Sequence, residues 1–363
     1  MSESSPLTLI LSLQGRGNKC KCRGNPPVVA RPGIFVAVPQ PQRNGYKDNL
    51  FASKGANQRM RERIISLLPS STEIICALGL RGQLVGVSHE CDYPADVVEL
   101  PILTEPKLDP RGTSGDIDTR VREIVQEGLS VYRLKTETLQ RLKPDVIVTQ
   151  DQCEVCAVSL PEVENAVQCF LTPDVSIVSL RPEKLDDIWT DIRRVAQATD
   201  QEKTAQALIR DAKERLWNIA QKTWHLPRPR VACLEWLDPL MAAGNWIPEL
   251  VDIAGGEYGL VEAGAHTPTL TWEALAAYQP EVIVTTPCGF KIPQSQTDLP
   301  QLTAHPDWLS LPAVQHNRVY VADGNAYYNR PGPRIVESAE ILAEMLHPEE
   351  CAGMAVPGSY VRV

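Results

Sequence analysis

The chain has 363 residues, a net charge of −9 and 43% hydrophobic residues, which is enough for two domains with sizeable cores. No stretch approaches the roughly 18 consecutive apolar residues of a membrane-spanning helix. Charge is unevenly spread. Residues 1–59 hold nine Lys/Arg against two Asp/Glu, and the remainder holds 27 against 43. An acidic body argues against nucleic-acid binding as the main task. The basic start is rich in Pro, Gly and Asn without periodicity, so 1–59 reads as a disordered segment. Met60 stands just before the first strand and is an alternative start. Without a convincing signal peptide the chain as written reads as cytoplasmic, or as periplasmic if the start is misread.

Along the chain, Arg63 to Leu68 is a short strand-type run. Thr72 to Leu80 is helical, with Ser70 or Ser71 as cap. Leu84 to Val87 is a second strand, and irregular chain follows to Pro110. Ile117 to Gln126 has helical spacing. Thr136 to Leu142 is a short helix and Asp145 to Thr149 a buried strand. Pro161 to Phe170 is helical, and Ser176 to Ser179 closes the first lobe, 60–182. From Glu183 to Lys222 there is no Gly or Pro, and apolar residues recur at steps of three and four. That pattern predicts one amphipathic helix on the order of 55 Å long, a spine over 183–222. The second lobe, 223–350, opens with strand Val231 to Glu235. Helix Ile247 to Ala254, helix Thr271 to Tyr278, strand Val282 to Thr285, strand Val319 to Val321 and helix Ile335 to Leu346 follow. Residues 351–363 read as a tail.

The chain repeats itself. Glu137 to Thr149 and Glu273 to Thr285 are each a short helix, a proline, an acidic residue and a buried strand ending in Thr, offset by 136 residues. Strands alternating with helices imply parallel βαβ units. The fold class is therefore α/β: two similar parallel-sheet lobes joined by one long spine helix, with a ligand cleft between them. Ligands of such sheets bind beyond the carboxyl ends of the strands. That rule selects Ser88, His89, Glu90, Cys91 and Tyr93 after the second strand, and Gln150 and Cys153 after the repeat strand. In the second lobe it selects Trp236, Trp246, Tyr327 and Tyr328, whose flat rings suit a planar or amphipathic ligand. Core packing is the alternative for Trp246. Arg330 and Arg334 could meet a carboxylate or phosphate, but a solvated surface charge is the favoured reading for each.

Ten cysteines show no disulfide-framework spacing. Cys76, Cys169 and Cys233 read as small buried hydrophobes. Cys153 and Cys156 form a C-x-x-C with three readings: packing, metal contact completed by Cys91 or His89, or a redox pair. Zinc or cobalt on Cys91, Cys153 and Cys156 would make the protein a metal carrier or metal-dependent enzyme. Otherwise no cofactor is required. There is no G-x-S-x-G, no Walker loop and no G-x-G-x-x-G after a strand. His89 with Glu90 or Asp92 makes a poor acid–base pair, because adjacent residues rarely aim at one atom.

Several segments together resemble the helical-spine (type III) substrate-binding proteins of ABC importers, especially the vitamin B12-binding branch. They are 63–73, reading RIISLLPSSTE, Ala77-Leu78-Gly79, Val85-Gly86-Val87-Ser88, Asp92-Tyr93-Pro94, Leu142-Lys143-Pro144-Asp145 and Ala254-Gly255-Gly256. The resemblance covers about 62–347. It implies a monomeric, non-enzymatic binding protein whose ligand is cobalamin or a related corrinoid or metal chelate. It also implies that Glu137 and Glu273, which open the two repeats, dock against arginines of an ABC permease. A glutamate at a helix start is equally favoured by the helix dipole. The corrinoid branch places aromatics where Glu90 and Gln150 stand, which leaves haem, a siderophore or another chelate open.

Overall fold

A computed structural model describes residues 63–126, 130–151, 158–171 and 174–363, all within the unit Gln58–Val363. The basic segment, the Met60 start and the Cys153–Cys156 pair lie outside the described residues.

The first lobe runs β1 (Ile64–Ser66), α1 (Pro69–Ala77), β2 (Leu84–Val87), β3 (Thr104–Pro106), α2 (Ser114–Gln126), β4 (Tyr132–Leu134), α3 (Thr136–Leu142), β5 (Val146–Gln150), α4 (Leu160–Phe170) and β6 (Ser176–Leu180). Its main sheet is parallel throughout, in the order β2-β1-β5-β6. β3, in the stretch expected to be irregular, and β4 form a separate antiparallel ribbon. Helix α1 begins at Pro69, so Ser70 and Ser71 lie inside it rather than capping it. Proline at a first helical position loses no hydrogen bond, since that N–H has no helical partner.

The linker differs from the single rod that the sequence suggested. It is two helices, α5 (Leu185–Ala198) and α6 (Glu202–Thr223), broken at Thr199-Asp200-Gln201. Asp200 takes a left-handed conformation (φ 56°), one of the few non-glycine residues that does so at modest cost. The Thr199 hydroxyl turns back to the Val195 carbonyl, 2.8 Å away. Lys213 in α6 reaches Asp186 at the start of α5 (3.3 Å), so the helices fold back on each other as a hairpin. Helix α5 packs on β6 and α1.

The second lobe contains β7 (Val231–Leu237), β8 (Leu240–Ala242), α7 (Ile247–Ile253), α8 (Trp272–Tyr278), β9 (Val282–Thr285), α9 (Ile292–Asp298), α10 (Pro300–Thr303), α11 (Pro312–Gln315), β10 (Val319–Ala322), α12 (Ile335–Leu346) and β11 (Tyr360–Arg362). The sheet order is β11-β10-β9-β7-β8, with β10, β9 and β7 parallel and both edge strands antiparallel. The expected tail therefore ends in a sheet strand. Helix α6 packs on α7 and α12, where Arg215 meets Glu337 and Glu340.

The repeat is real in three dimensions. β1, β5 and β6 correspond to β7, β9 and β10 in order and direction. Each short helix of the pair ends on a left-handed residue just before its proline, Lys143 (φ 45°) and Gln279 (φ 51°). The Arg63 carbonyl accepts from the Asp145 and Val146 amides, and the Arg230 carbonyl accepts from those of Glu281 and Val282. Each arginine also donates its Nε to the end of the short helix, Leu142 O (2.6 Å) and Gln279 O (3.0 Å). An apolar core including Ile64, Trp189, Ile192, Leu216, Val231 and Leu342 runs unbroken from one lobe through the linker into the other. Separate clusters around Ile147 and Ile283 cover the opposite sheet faces. Two-sided cover is what parallel sheets need.

Candidate ligand-binding seam

The loop after β2 is pinned by the unforeseen ribbon. Thr104 on β3 bonds the Ser88 hydroxyl (2.9 Å), the His89 amide (3.0 Å) and His89 Nδ1 (2.7 Å). Tyr132 on β4 donates its hydroxyl to Glu90 (2.9 Å) and sets its ring 5.3 Å from the His89 ring. Burial, and then Lys135, hold the His89 imidazole below its ordinary pKa, which favours the neutral ring. Burial pushes the Glu90 carboxyl up, against the Tyr132 hydrogen bond.

The opposing loop follows β10. Asp323 accepts the Ala326 amide (2.8 Å) and starts a π-helical turn over Gly324–Tyr328. Only glycine fits at 324, where a Cβ would collide with the Pro287 carbonyl oxygen. Asn329 donates to Thr286 O (3.0 Å) and Gly324 O (2.9 Å), and the Asn325 amide to Phe290 O (3.0 Å). Phe290 in turn meets the Trp236 ring edge-on at 5.3 Å. The loops ending β7, β9 and β10 thus make one surface. Trp236 is half-buried, and its Nε1 has no hydrogen-bond partner among the described residues.

Across the seam the two lobes are joined by charge. Glu73 of α1 is 3% exposed and Arg330 4%. Glu73 accepts from Arg330 Nη1 (3.1 Å), Arg334 Nε (2.9 Å) and Arg334 Nη2 (2.6 Å). Asp92 accepts from Arg330 Nη1 (2.7 Å) and Asn325 Nδ2 (2.9 Å), with Lys291 Nζ at 3.6 Å. The Arg334 guanidinium lies 3.9 Å from the Tyr93 ring centre and 5.3 Å from that of Tyr327. Burial raises the Asp92 carboxyl, but Arg330, Asn325 and Lys291 outweigh it and hold the pKa below the usual value. A further clasp joins α2 to the second lobe. The Ser114 amide donates to Asp298 (3.0 Å), and a Cβ at Gly115 would strike the Asp238 carboxylate.

These positions correct several expectations. Arg330 and Arg334 are not solvated surface charges but partners of a buried carboxylate. Tyr328 is 1% exposed and Trp246 6%, and Trp246 Nε1 donates to Tyr328 O (3.1 Å). Both belong to the core, because the π-helical turn directs Tyr328 inward and Tyr327 to the seam. Cys91 is a core thiol that accepts from Thr72 Oγ1 (3.1 Å), and burial pushes its pKa to about 12. A thiol so held is not a ready metal ligand. Among the described residues no group of three or more His, Cys, Asp or Glu could hold a metal. Cys169, expected to be buried, is exposed.

Ser88 (buried), His89, Glu90, Tyr93 and Tyr327 stand on the loops that meet at the seam, and Trp236 lies near the carboxyl end of β7. Gln150 is buried at the carboxyl end of β5. Glu137 and Glu273 are exposed in the first turns of α3 and α8. Glu73, Thr104, Tyr132, Lys291 and Asn325 had no assigned role. Only Glu73 carried a signal, as a carboxylate closing the apolar motif at 63–73.

Two α/β lobes of like topology, with loops from the carboxyl ends of both sheets meeting at one seam, define a bilobal small-molecule binding protein. The chain belongs to the periplasmic binding protein family, whose model matches residues 64–326. It is 26% identical over 297 residues to the vitamin B12-binding protein of Vibrio parahaemolyticus, covering 81% of this chain and 92% of that one. It is 24% identical over 295 residues to the uncharacterized ABC transporter substrate-binding lipoprotein YvrC of Bacillus subtilis, covering 79% and 81%. A periplasmic heme-binding protein from Pseudomonas aeruginosa shares the fold with a TM-score of 0.60 at 19% identity, covering 80% of this chain and 94% of that one. The expected cytoplasmic location is overturned by this kinship with periplasmic proteins and a lipoprotein.

Proposed function

We propose that this protein is the extracytoplasmic ligand-binding component of an ABC importer. Its ligand is a corrinoid or a related metal chelate held at the seam between the lobes. The observation that carries this is the meeting of the 88–93 and 323–330 loops across two sheets of matched topology. The B12-binding relative supports a corrinoid, and the half-buried rings of Trp236 and Tyr327 suit a large flat ligand. The ligand would touch His89, Glu90, Tyr93, Trp236 and Tyr327, with Ser88 and Gln150 supporting them. Calorimetric titration with cyanocobalamin tests the proposal. Tight 1:1 binding supports it. No heat with cyanocobalamin, but tight binding of hemin, moves the ligand to haem, the group named for the structural neighbour.

The exposed Glu137 and Glu273 are the proposed permease contacts. They occupy equivalent positions on equivalent helices, so each lobe presents one carboxylate in the same setting. Replacing both by Arg is expected to abolish transport while cyanocobalamin affinity stays unchanged. Unaltered transport removes them from the interface.

A further inference from the structure

We infer that Arg330, Asn325 and Lys291 of the second lobe form an anion-binding subsite, occupied in this structure by Asp92 of the first lobe, and that an anionic group of the ligand takes the place of Asp92 when it binds. The inference rests on the ligand-binding function proposed above and names the chemistry that the ligand must carry.

Two hydrogen-bond donors of the 323–330 loop and an ammonium from the loop after β9 converge on a single carboxylate. Arg330 Nη1 is 2.7 Å from Asp92 Oδ1, Asn325 Nδ2 is 2.9 Å from Oδ2, and Lys291 Nζ is 3.6 Å from Oδ2. Arg330 and Asn325 are held in place without Asp92. Glu73 holds Arg330 from behind, Asn325 Oδ1 accepts from Arg330 Nη2 (3.0 Å), and the Asn325 amide is anchored on Phe290 O. A fixed guanidinium fork loses little freedom when it meets a new carboxylate or phosphate.

Charge points the same way. Arg330, Arg334 and Lys291 bring three positive charges, and Glu73 and Asp92 two negative ones. The set keeps one positive charge in excess even with Asp92 seated. Glu90 also faces Arg330; burial raises its pKa, and one of its oxygens accepts the Tyr132 hydroxyl. Asp323 commits its carboxylate to the Ala326 amide. The members are also graded by access. Side-chain exposure is 2% for Glu73 and 5% for Arg330, but 35% for Asp92 and 65% for Lys291. The water-facing edge is therefore the part that exchanges, and an arriving anion meets Lys291 first. Replacing one carboxylate by another anion leaves the buried Glu73–arginine pairs intact and releases Asp92 to water.

The phosphodiester of a corrinoid and the carboxylates of a haem share this chemistry, and paired ligands separate them. Cyanocobalamin carries the phosphodiester and dicyanocobinamide lacks it. Hemin carries two carboxylates and its dimethyl ester none. Affinities of all four are measured for the wild type, Lys291→Ala and Asp92→Asn. Lys291→Ala is expected to weaken only the anionic member of the pair that binds, on the order of fivefold for an exposed charge. Asp92→Asn removes the internal competitor and is expected to tighten the same member several-fold. Equal effects on both members of a pair would overturn the subsite while leaving the binding function standing. If the corrinoids fail to bind, the hemin pair decides by the same criterion. If none of the four binds, the subsite and the proposed ligand class fall together.

Discussion

Glu73→Gln is the sharpest test of how the lobes are held. The side chain keeps its shape but loses its charge, and its amide turns N–H donors toward guanidinium groups that are themselves donors. Glu73 accepts three arginine hydrogen bonds at 2.6–3.1 Å and is almost fully buried. Removing one partner of a buried ion pair typically costs about 3–5 kcal/mol, because the other charge is left uncompensated. Two features lower that figure. Arg330 retains Asp92, and the Arg334 side chain is 14% exposed. We therefore expect a loss of about 2–4 kcal/mol, which for a chain of this size lowers the melting temperature by roughly 3–6 °C. Urea unfolding at pH 7 reads the loss as a shifted midpoint at unchanged slope. A triple variant, Glu73→Leu with Arg330→Met and Arg334→Leu, should recover most of it, since well-packed apolar groups replace buried ion pairs at little cost. A Glu73→Gln protein within about 0.5 kcal/mol of wild type would show that these arginines are solvated, and the ionic seam would be refuted.

Asp191 gives a pH-dependent prediction. Burial raises its pKa to about 6 despite Arg194 and the Arg181 amide. A carboxyl whose folded pKa exceeds its unfolded value contributes stability below the unfolded pKa and loses it as pH rises through the folded one. Between pH 4 and 7, the unfolding free energy of Asp191→Asn in urea should therefore gain on wild type by about 2–3 kcal/mol, and a parallel pair of profiles would contradict the raised pKa. Thiol titration with an aromatic disulfide at pH 8 should label the exposed Cys169 and Cys288 in minutes. Cys91 and Cys233, both pushed to about 12, should label only on unfolding, and prompt reaction of Cys91 would restore it as a metal-ligand candidate. Gly324→Ala should unseat the π-helical turn and cost about 1–3 kcal/mol of stability together with ligand affinity, measured by melting and titration.

Legibility in the sequence followed the range of the interaction. The buried strands were readable because β-branched runs such as Val146–Gln150 and Val282–Thr285 leave few alternatives, and the short helices because Pro144 and Pro280 punctuate them. The linker break was missed because amphipathic spacing continues on both sides of Asp200. The one cue was local: Thr and Asp side chains offer the backbone an alternative to the helix, and they stand together at 199 and 200. The β3–β4 ribbon was missed because its three-residue strands are stabilised by each other, across 28 residues at the Glu105–Arg133 pair. The seam was least readable. Tyr327 and Tyr328 are neighbours of the same type, and only the π-helical turn sends one to the core and the other to Arg334. The partners of Glu73 lie 257 and 261 residues away. No local pattern announces a pairing at that distance, so a lone Arg330 in a Gly/Pro-rich loop reads as solvated.

The repeat also explains where specificity can arise. Lobes built on one plan share the strands, the short helices and even the arginine that ties each helix to its first strand. Parts held in common cannot distinguish one ligand from another, and they serve to fix geometry. The lobes differ at the edges and in the loops. The first lobe adds β2 in parallel and a ribbon that anchors His89 and Glu90. The second adds antiparallel edge strands and a π-helical turn that carries Asn325 and Tyr327, with Arg330 just beyond it. The seam is consequently asymmetric, with carboxylates from one lobe set against guanidinium and ammonium groups from the other. An apolar core continuous through the hairpin limits lobe motion. Ligand entry then depends less on a wide hinge than on releasing the exposed end of the ionic seam at Asp92 and Lys291.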